Sequence, residues 1–137
     1  MATLAERTER LHSVPLFSTL GPAALRRVAR AATAVDVPAG QVLVEPGTPG
    51  SGMFVILDGT VSVDTRRKTL ELGPGEFFGE LSLLNVDERR TARVRAKTDV
   101  RAIALSRRDF TRLVESEPKL ALALLQALAQ RLTDVLR

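Results

Sequence analysis

Gly52-Met53-Phe54-Val55-Ile56-Leu57-Asp58-Gly59-Thr60-Val61-Ser62-Val63-Asp64 sets two strand-sized runs on either side of an Asp-Gly pair. Asp and Gly tolerate the positive φ of primed turns, so the stretch predicts strands at 52–57 and 60–64 joined as a tight hairpin. Outward from this centre, further runs of strand length lie at 41–44, 69–72, 92–96 and 100–105, with a shorter one at 33–37. Pro46-Gly47-Thr48-Pro49-Gly50 and Gly73-Pro74-Gly75 mark turns between them. Many short strands at this spacing predict a closed or double-sheet antiparallel barrel over 34–105.

Helical patterns flank the barrel on both sides. Leu16-Phe17-Ser18-Thr19-Leu20-Gly21-Pro22 punctuates two of them within 1–33, and Leu25, Val28, Ala29 and Ala32 recur at helical spacing after a first-turn proline. Within 106–137, Ser106 with Asp109 three positions on resembles a capping box, and Phe110, Leu113 and Val114 share one face. Pro118 opens a last helix over 119–137, in which Leu125, Leu128, Leu132 and Val135 step by three and four like a coiled-coil seam. Leu120, Leu124 and Leu136 lie off that seam. A helix apolar on more than one side must bury more than one side, so one face is expected on the barrel and another on a second copy of the chain. The 137 residues fit one domain and are short for two.

Composition excludes several chemistries. There is no cysteine, which removes disulfide frameworks, Cys-type zinc sites and thiol catalysis. His12 is the one histidine, set in an N-terminal amphipathic segment and expected at the surface; zinc hydrolases need more imidazoles than this. A metal-dependent small-barrel enzyme is disfavoured for the same reason, and the chain is read as a non-enzyme without a metal. The charge of +4 comes from 17 arginines and 3 lysines, but the 16 acidic residues are mixed among them along the chain. No aromatic platforms interleave with the arginines, as single-stranded nucleic-acid binding would favour. No apolar run reaches the roughly 18 residues that span a bilayer, and the first ten residues are too polar for a signal peptide. A cytoplasmic protein is expected, with no membrane contact.

One stretch departs from simple strands and turns: Gly73-Pro74-Gly75-Glu76-Phe77-Phe78-Gly79-Glu80-Leu81-Ser82-Leu83-Leu84, followed by Asn85-Val86-Asp87-Glu88-Arg89-Arg90-Thr91-Ala92-Arg93-Val94. Glycine before a short apolar segment can leave backbone N–H groups exposed at a helix start, where the dipole favours an anion. An arginine about ten residues later can return to that anion, because its planar fork pairs bidentately with phosphate. Glu80 beside such a site is useful as an acceptor for sugar hydroxyls, and phosphate plus ribose means nucleotide. Strand parity selects between the paired arginines: Ala92, Val94 and Ala96 should face inward and Arg93 and Arg95 outward, which gives Arg90 the inward parity over Arg89.

The segments Gly79-Glu80-Leu81-Ser82-Leu83-Leu84 and Arg90-Thr91-Ala92-Arg93-Val94 resemble the phosphate-binding cassette of cyclic nucleotide-binding domains, above all the ligand-binding half of the catabolite activator group. Pro15-Leu16-Phe17, the Pro46-Gly47 turn, Asp58-Gly59 and the terminal helices also fall where that family places them. The resemblance implies a mainly β fold with flanking helices: a double-stranded β-helix (jelly-roll) barrel, with its cassette at 75–92, N-terminal helices and a long C-terminal helix. It implies that Arg90 neutralises the phosphate, that Glu80 accepts from the ribose 2′-hydroxyl, and that Gly79, Leu81 and Ser82 give backbone N–H groups or close approach. Thr91 would bond the phosphate, and in some cyclic GMP-binding relatives a threonine here also reaches the guanine amino group. The ligand is therefore expected to be cyclic AMP, with cyclic GMP open. Val55, Leu57, Leu70 and Val94 are candidates for the wall packing purine and ribose, with plain barrel core as the competing role.

Two departures from the family shape the expected function. The activators carry a winged helix-turn-helix after the long helix, whereas this sequence ends with that helix, so DNA binding is not expected. Positions that offer hydroxyls to adenine in that family are Val135 and Leu136 here, an apolar pair that can cover a purine but cannot read its edge. The expectation is a cyclic nucleotide sensor that relays occupancy through its C-terminal helix to a homodimer partner or an unidentified protein effector. The alternative is a ligand-free interaction module of the same fold.

Overall fold

The computed structural model describes residues 3–45, 52–65, 68–79 and 92–136, the side chain of Val135 excepted. The chain divides into two compact units, one made of Met1–Ala31 with Thr111–Arg137 and the other of Ala32–Phe110.

In the first unit, α1 (Leu4–His12) starts on a full capping box, in which Thr3 accepts from the Glu6 N–H and the Glu6 carboxylate accepts from the Thr3 N–H. A 3₁₀ turn (Pro15–Phe17) and α2 (Pro22–Ala31) follow. Leu11, Leu16, Phe17, Leu25 and Val28 are buried, and the Arg7 guanidinium donates to the Ala29 carbonyl at 3.0 Å, near the end of α2. His12 is exposed, as expected. The last helix, α4 (Pro118–Leu136), belongs to this unit and follows α3 (Arg107–Ser116). The Asp109 N–H donates to the Ser106 hydroxyl at 3.1 Å, so Ser106 caps α3 as its sequence suggests.

The second unit is the jelly roll. Its described strands are β1 (Thr33–Val37), β2 (Val42–Val44), β3 (Gly52–Asp58), β4 (Val61–Asp64), β5 (Thr69–Leu72), β6 (Phe77–Phe78), β7 (Arg93–Ala96) and β8 (Val100–Ser106). They form two antiparallel sheets, β1-β8-β3-β6 and β2-β7-β4-β5. Val37, Ile56, Phe78, Val100 and Ala102 from the first sheet share one buried cluster with Val44, Val61, Val94 and Ala96 from the second. The barrel interior is therefore the apolar space between the sheets.

This topology corrects the expected hairpin. β3 pairs with β6 and β8, β4 pairs with β5 and β7, and the two strands flanking Asp58-Gly59 lie in different sheets. Asp58-Gly59 is a corner. Gly59 adopts a positive φ of 89°, and a Cβ there would also sit 2.1 Å from the Asp99 carbonyl oxygen, so the corner calls for glycine on both counts. The true hairpin is β4–β5, where Val61 faces Leu72 and Val63 faces Leu70. Strand β6 was not foreseen either, because two residues are too few to show a period.

Candidate functional site

The sheet β2-β7-β4-β5 builds the apolar wall of the candidate site. Cross-strand partners in an antiparallel sheet project from the same face, so the register sets side chains in rows. Leu70 pairs with Val63, Val63 with Val94, and Val94 with Val44, which makes one row across all four strands. Leu72, Val61 and Ala96 form the next row. Alternation along β7 separates buried Val94 and Ala96 from exposed Arg93 and Arg95, the parity the sequence predicts. Most of the wall is buried or half-buried, but Leu70 at its edge is 42% exposed. An apolar side chain left open at the end of a buried row offers a surface for a ring to cover.

Of the four wall candidates, Leu70 and Val94 come together in this row. Val55 and Leu57 do not join it. Phe54 and Ile56 point into the interior cluster, so Val55, fully buried, lies on the opposite face of β3. Leu57 sits where the pairing with β8 slips between Ile56 and Asp58. Val63, between Leu70 and Val94, was missed, although the alternation Val61-Ser62-Val63-Asp64 carries its signal.

The turn that leads into the cassette is well defined. Gly73-Pro74-Gly75-Glu76 closes with the Glu76 N–H donating to the Gly73 carbonyl at 3.1 Å; with Pro second and Gly75 third at φ 86°, this is a type II turn. The Gly73 N–H donates to the Glu76 carboxylate at 3.0 Å, and backbone bonds tie Gly75 and Glu76 to Ile56 at 2.8 and 2.9 Å. β6 follows, and Gly79 leaves it at φ 83°. Glu80, Leu81, Ser82, Arg90 and Thr91, with the helix start expected after Gly79, lie outside the described residues.

Some of the barrel's charges are paired between neighbouring segments. Arg93 bonds Glu45 at 3.2 Å, Lys97 pairs with Glu71, and Arg101 bonds Asp36 at 3.0 Å. The hydrogen bond from Arg101 to Asp36 and that carboxylate's charge raise the Arg101 pKa above its ordinary value. Among the described residues no group of acidic, histidine or cysteine side chains could hold a metal, and no helix is long and apolar enough to cross a membrane.

In α4, Leu120 and Leu124 are buried, whereas Leu122, Leu125, Leu132 and Leu136 are 55–78% exposed. With exposed Ala129 they step by three, four, three and four. The exposed seam thus shares Leu125 and Leu132 with the expected one, but Leu128 is half-buried. Leu136 belongs to the exposed row.

Comparison with known proteins agrees with this architecture. A cyclic nucleotide-binding domain model matches residues 34–117. The chain is 47% identical over 109 residues to a cyclic nucleotide-gated potassium channel of Mesorhizobium japonicum, covering 80% of this chain and 30% of the channel. It is 40% identical over 110 residues to a cAMP-dependent protein kinase regulatory subunit of Aspergillus fumigatus, covering 76% of this chain and 26% of that protein. The crystal structure of the Thermus thermophilus catabolite activator protein superposes with a TM-score of 0.80 at 32% identity, over 88% of this chain and 59% of the other. The chain thus spans about a quarter to three-fifths of these relatives, which are a channel and regulators rather than enzymes. The shared part is the barrel with its flanking helices, and the chain belongs to the cyclic nucleotide-binding domain family.

Proposed function

We propose that the chain binds a cyclic nucleotide, cyclic AMP in first place and cyclic GMP as the second candidate, and relays occupancy through α4. The observation that carries this reading is the occurrence in sequence, ten residues apart and within the stretch that the family model matches, of Gly79-Glu80 and Arg90-Thr91. Arg90 supplies the bidentate charge for the phosphate and Glu80 an acceptor for the ribose hydroxyl. The partly open row Leu70–Val63–Val94 supports a place for the apolar faces of base and sugar. Its edge at Leu70 is what a bound ring would cover.

The relay requires a partner for α4. Its exposed seam, Leu122, Leu125, Ala129, Leu132 and Leu136, suits a second copy or an effector helix. Nucleotide must then favour one arrangement of α4 over another, and a coupling of ~1–3 kcal/mol suffices for a useful switch.

Paired substitutions at 89 and 90 test the reading. Arg90→Ala should lose about 2–5 kcal/mol of nucleotide affinity, because a buried phosphate is left without its charge partner, while Arg89→Ala should bind as the native chain does. Loss at Arg89 with retention at Arg90 would reverse the parity assignment. Retention in both variants would remove the phosphate role altogether.

A further inference from the structure

Three of the chain's five aromatic side chains, Phe54, Phe77 and Phe78, meet at the two-residue strand β6. Phe54 stands opposite Phe78 in the register, and their rings stack 5.1 Å apart at 17°. Phe77, opposite Val55, projects to the other face, and both β6 rings are buried. Backbone bonds hold this ladder to β3, among them those that tie Gly75 and Glu76 to Ile56, and the packing of the rings adds to them. A glycine with positive φ stands close to each end, Gly75 inside its hydrogen-bonded turn and Gly79 directly after the strand. Gly79 has no side chain of its own to anchor the exit, and the buried ring beside it is that of Phe78.

Gly79 is also the first residue of the Gly79-Glu80-Leu81-Ser82 stretch. We propose that Phe54 is a positioning residue for phosphate recognition: its stack on Phe78, together with the backbone bonds of β6, fixes the strand and so the position of Gly79, the first residue of the recognition motif. Phe54 acts through Phe78, against which its ring stacks. The inference rests on the nucleotide site proposed above and extends it to a strand outside the recognition motif.

Two measurements on the full chain test it. In calorimetric titration with cyclic AMP, Phe54→Leu should bind about threefold to tenfold more weakly, the value of a lost aromatic pair, and Phe54→Tyr should stay near native. Ile56→Val, a control on the same strand and the same interior face, should lower the melting temperature and leave affinity unchanged. Native affinity in Phe54→Leu, or an equal loss in Ile56→Val, would reduce the stack to ordinary core and overturn the proposal. Amide exchange in the nucleotide-free chain gives a second reading. Phe54→Leu should speed exchange at Gly79 relative to Val63, and an unchanged ratio would overturn the proposal. A native chain that binds no nucleotide would overturn the site itself, a failure distinct from an unchanged exchange ratio.

Discussion

β7 and α4 both carry apolar residues at regular intervals, yet they use them in opposite ways. In β7, Val94 and Ala96 point into the barrel and Arg93 and Arg95 point out. A strand has two faces, so one buried residue assigns all the others. In α4, leucines occur around much of the circumference: Leu120 and Leu124 are buried, while Leu122, Leu125, Leu132 and Leu136 remain exposed. A helix offers a continuous range of directions, and leucine on several of them does not name the seam. The strand spends its apolar surface on folding, and the helix leaves part of its own exposed.

Substitutions can break or sharpen this contrast. The largest effect is expected at the corner that feeds the barrel: Gly59→Ala places a Cβ against the Asp99 carbonyl at a positive φ and should cost about 2–4 kcal/mol in chemical denaturation. A cost below about 0.5 kcal/mol would show that the corner relaxes freely. Next, Val94→Ala should cost about 1.5–3 kcal/mol, the transfer and cavity terms of a buried branched side chain. On the helix side, Leu132→Ala should change the stability of the isolated chain by less than about 0.5 kcal/mol, because little burial is lost. Its effect belongs in association: Leu125→Ala with Leu132→Ala should weaken self-association in sedimentation or effector capture. Equal stability losses for Val94 and Leu132 would erase the contrast.

The same physics explains what could be read in advance. Strands β1, β5 and the core of β8 lay at their expected positions because runs bounded by Gly, Pro and Asp are local signals. Ser106 announced its cap for the same reason. Asp58-Gly59 reported a backbone angle correctly and a pairing wrongly, since its partner strands are set by β8 and β6, distant in sequence. Within the site, the parity of Val94 was legible and the face of Val55 was not, because Val55 lies in an unbroken apolar run with no alternation to orient it. The seam of α4 was half legible: Leu125 and Leu132 belong to it, while Leu122 and Leu136 depended on which face the rest of the helical unit covers. The candidate recognition residues from Glu80 to Thr91 are read from residue chemistry and resemblance alone, and they lie outside the described residues.

Calorimetric titration of the native chain with cyclic AMP and then cyclic GMP tests the central claim most directly. Saturable heat at one nucleotide per chain is expected, together with a rise in melting temperature that reflects about 2.7 kcal/mol of stabilisation at a hundredfold excess over Kd. No heat and no thermal shift at about 1 mM of either nucleotide would contradict it and leave a barrel that serves only as an interaction module.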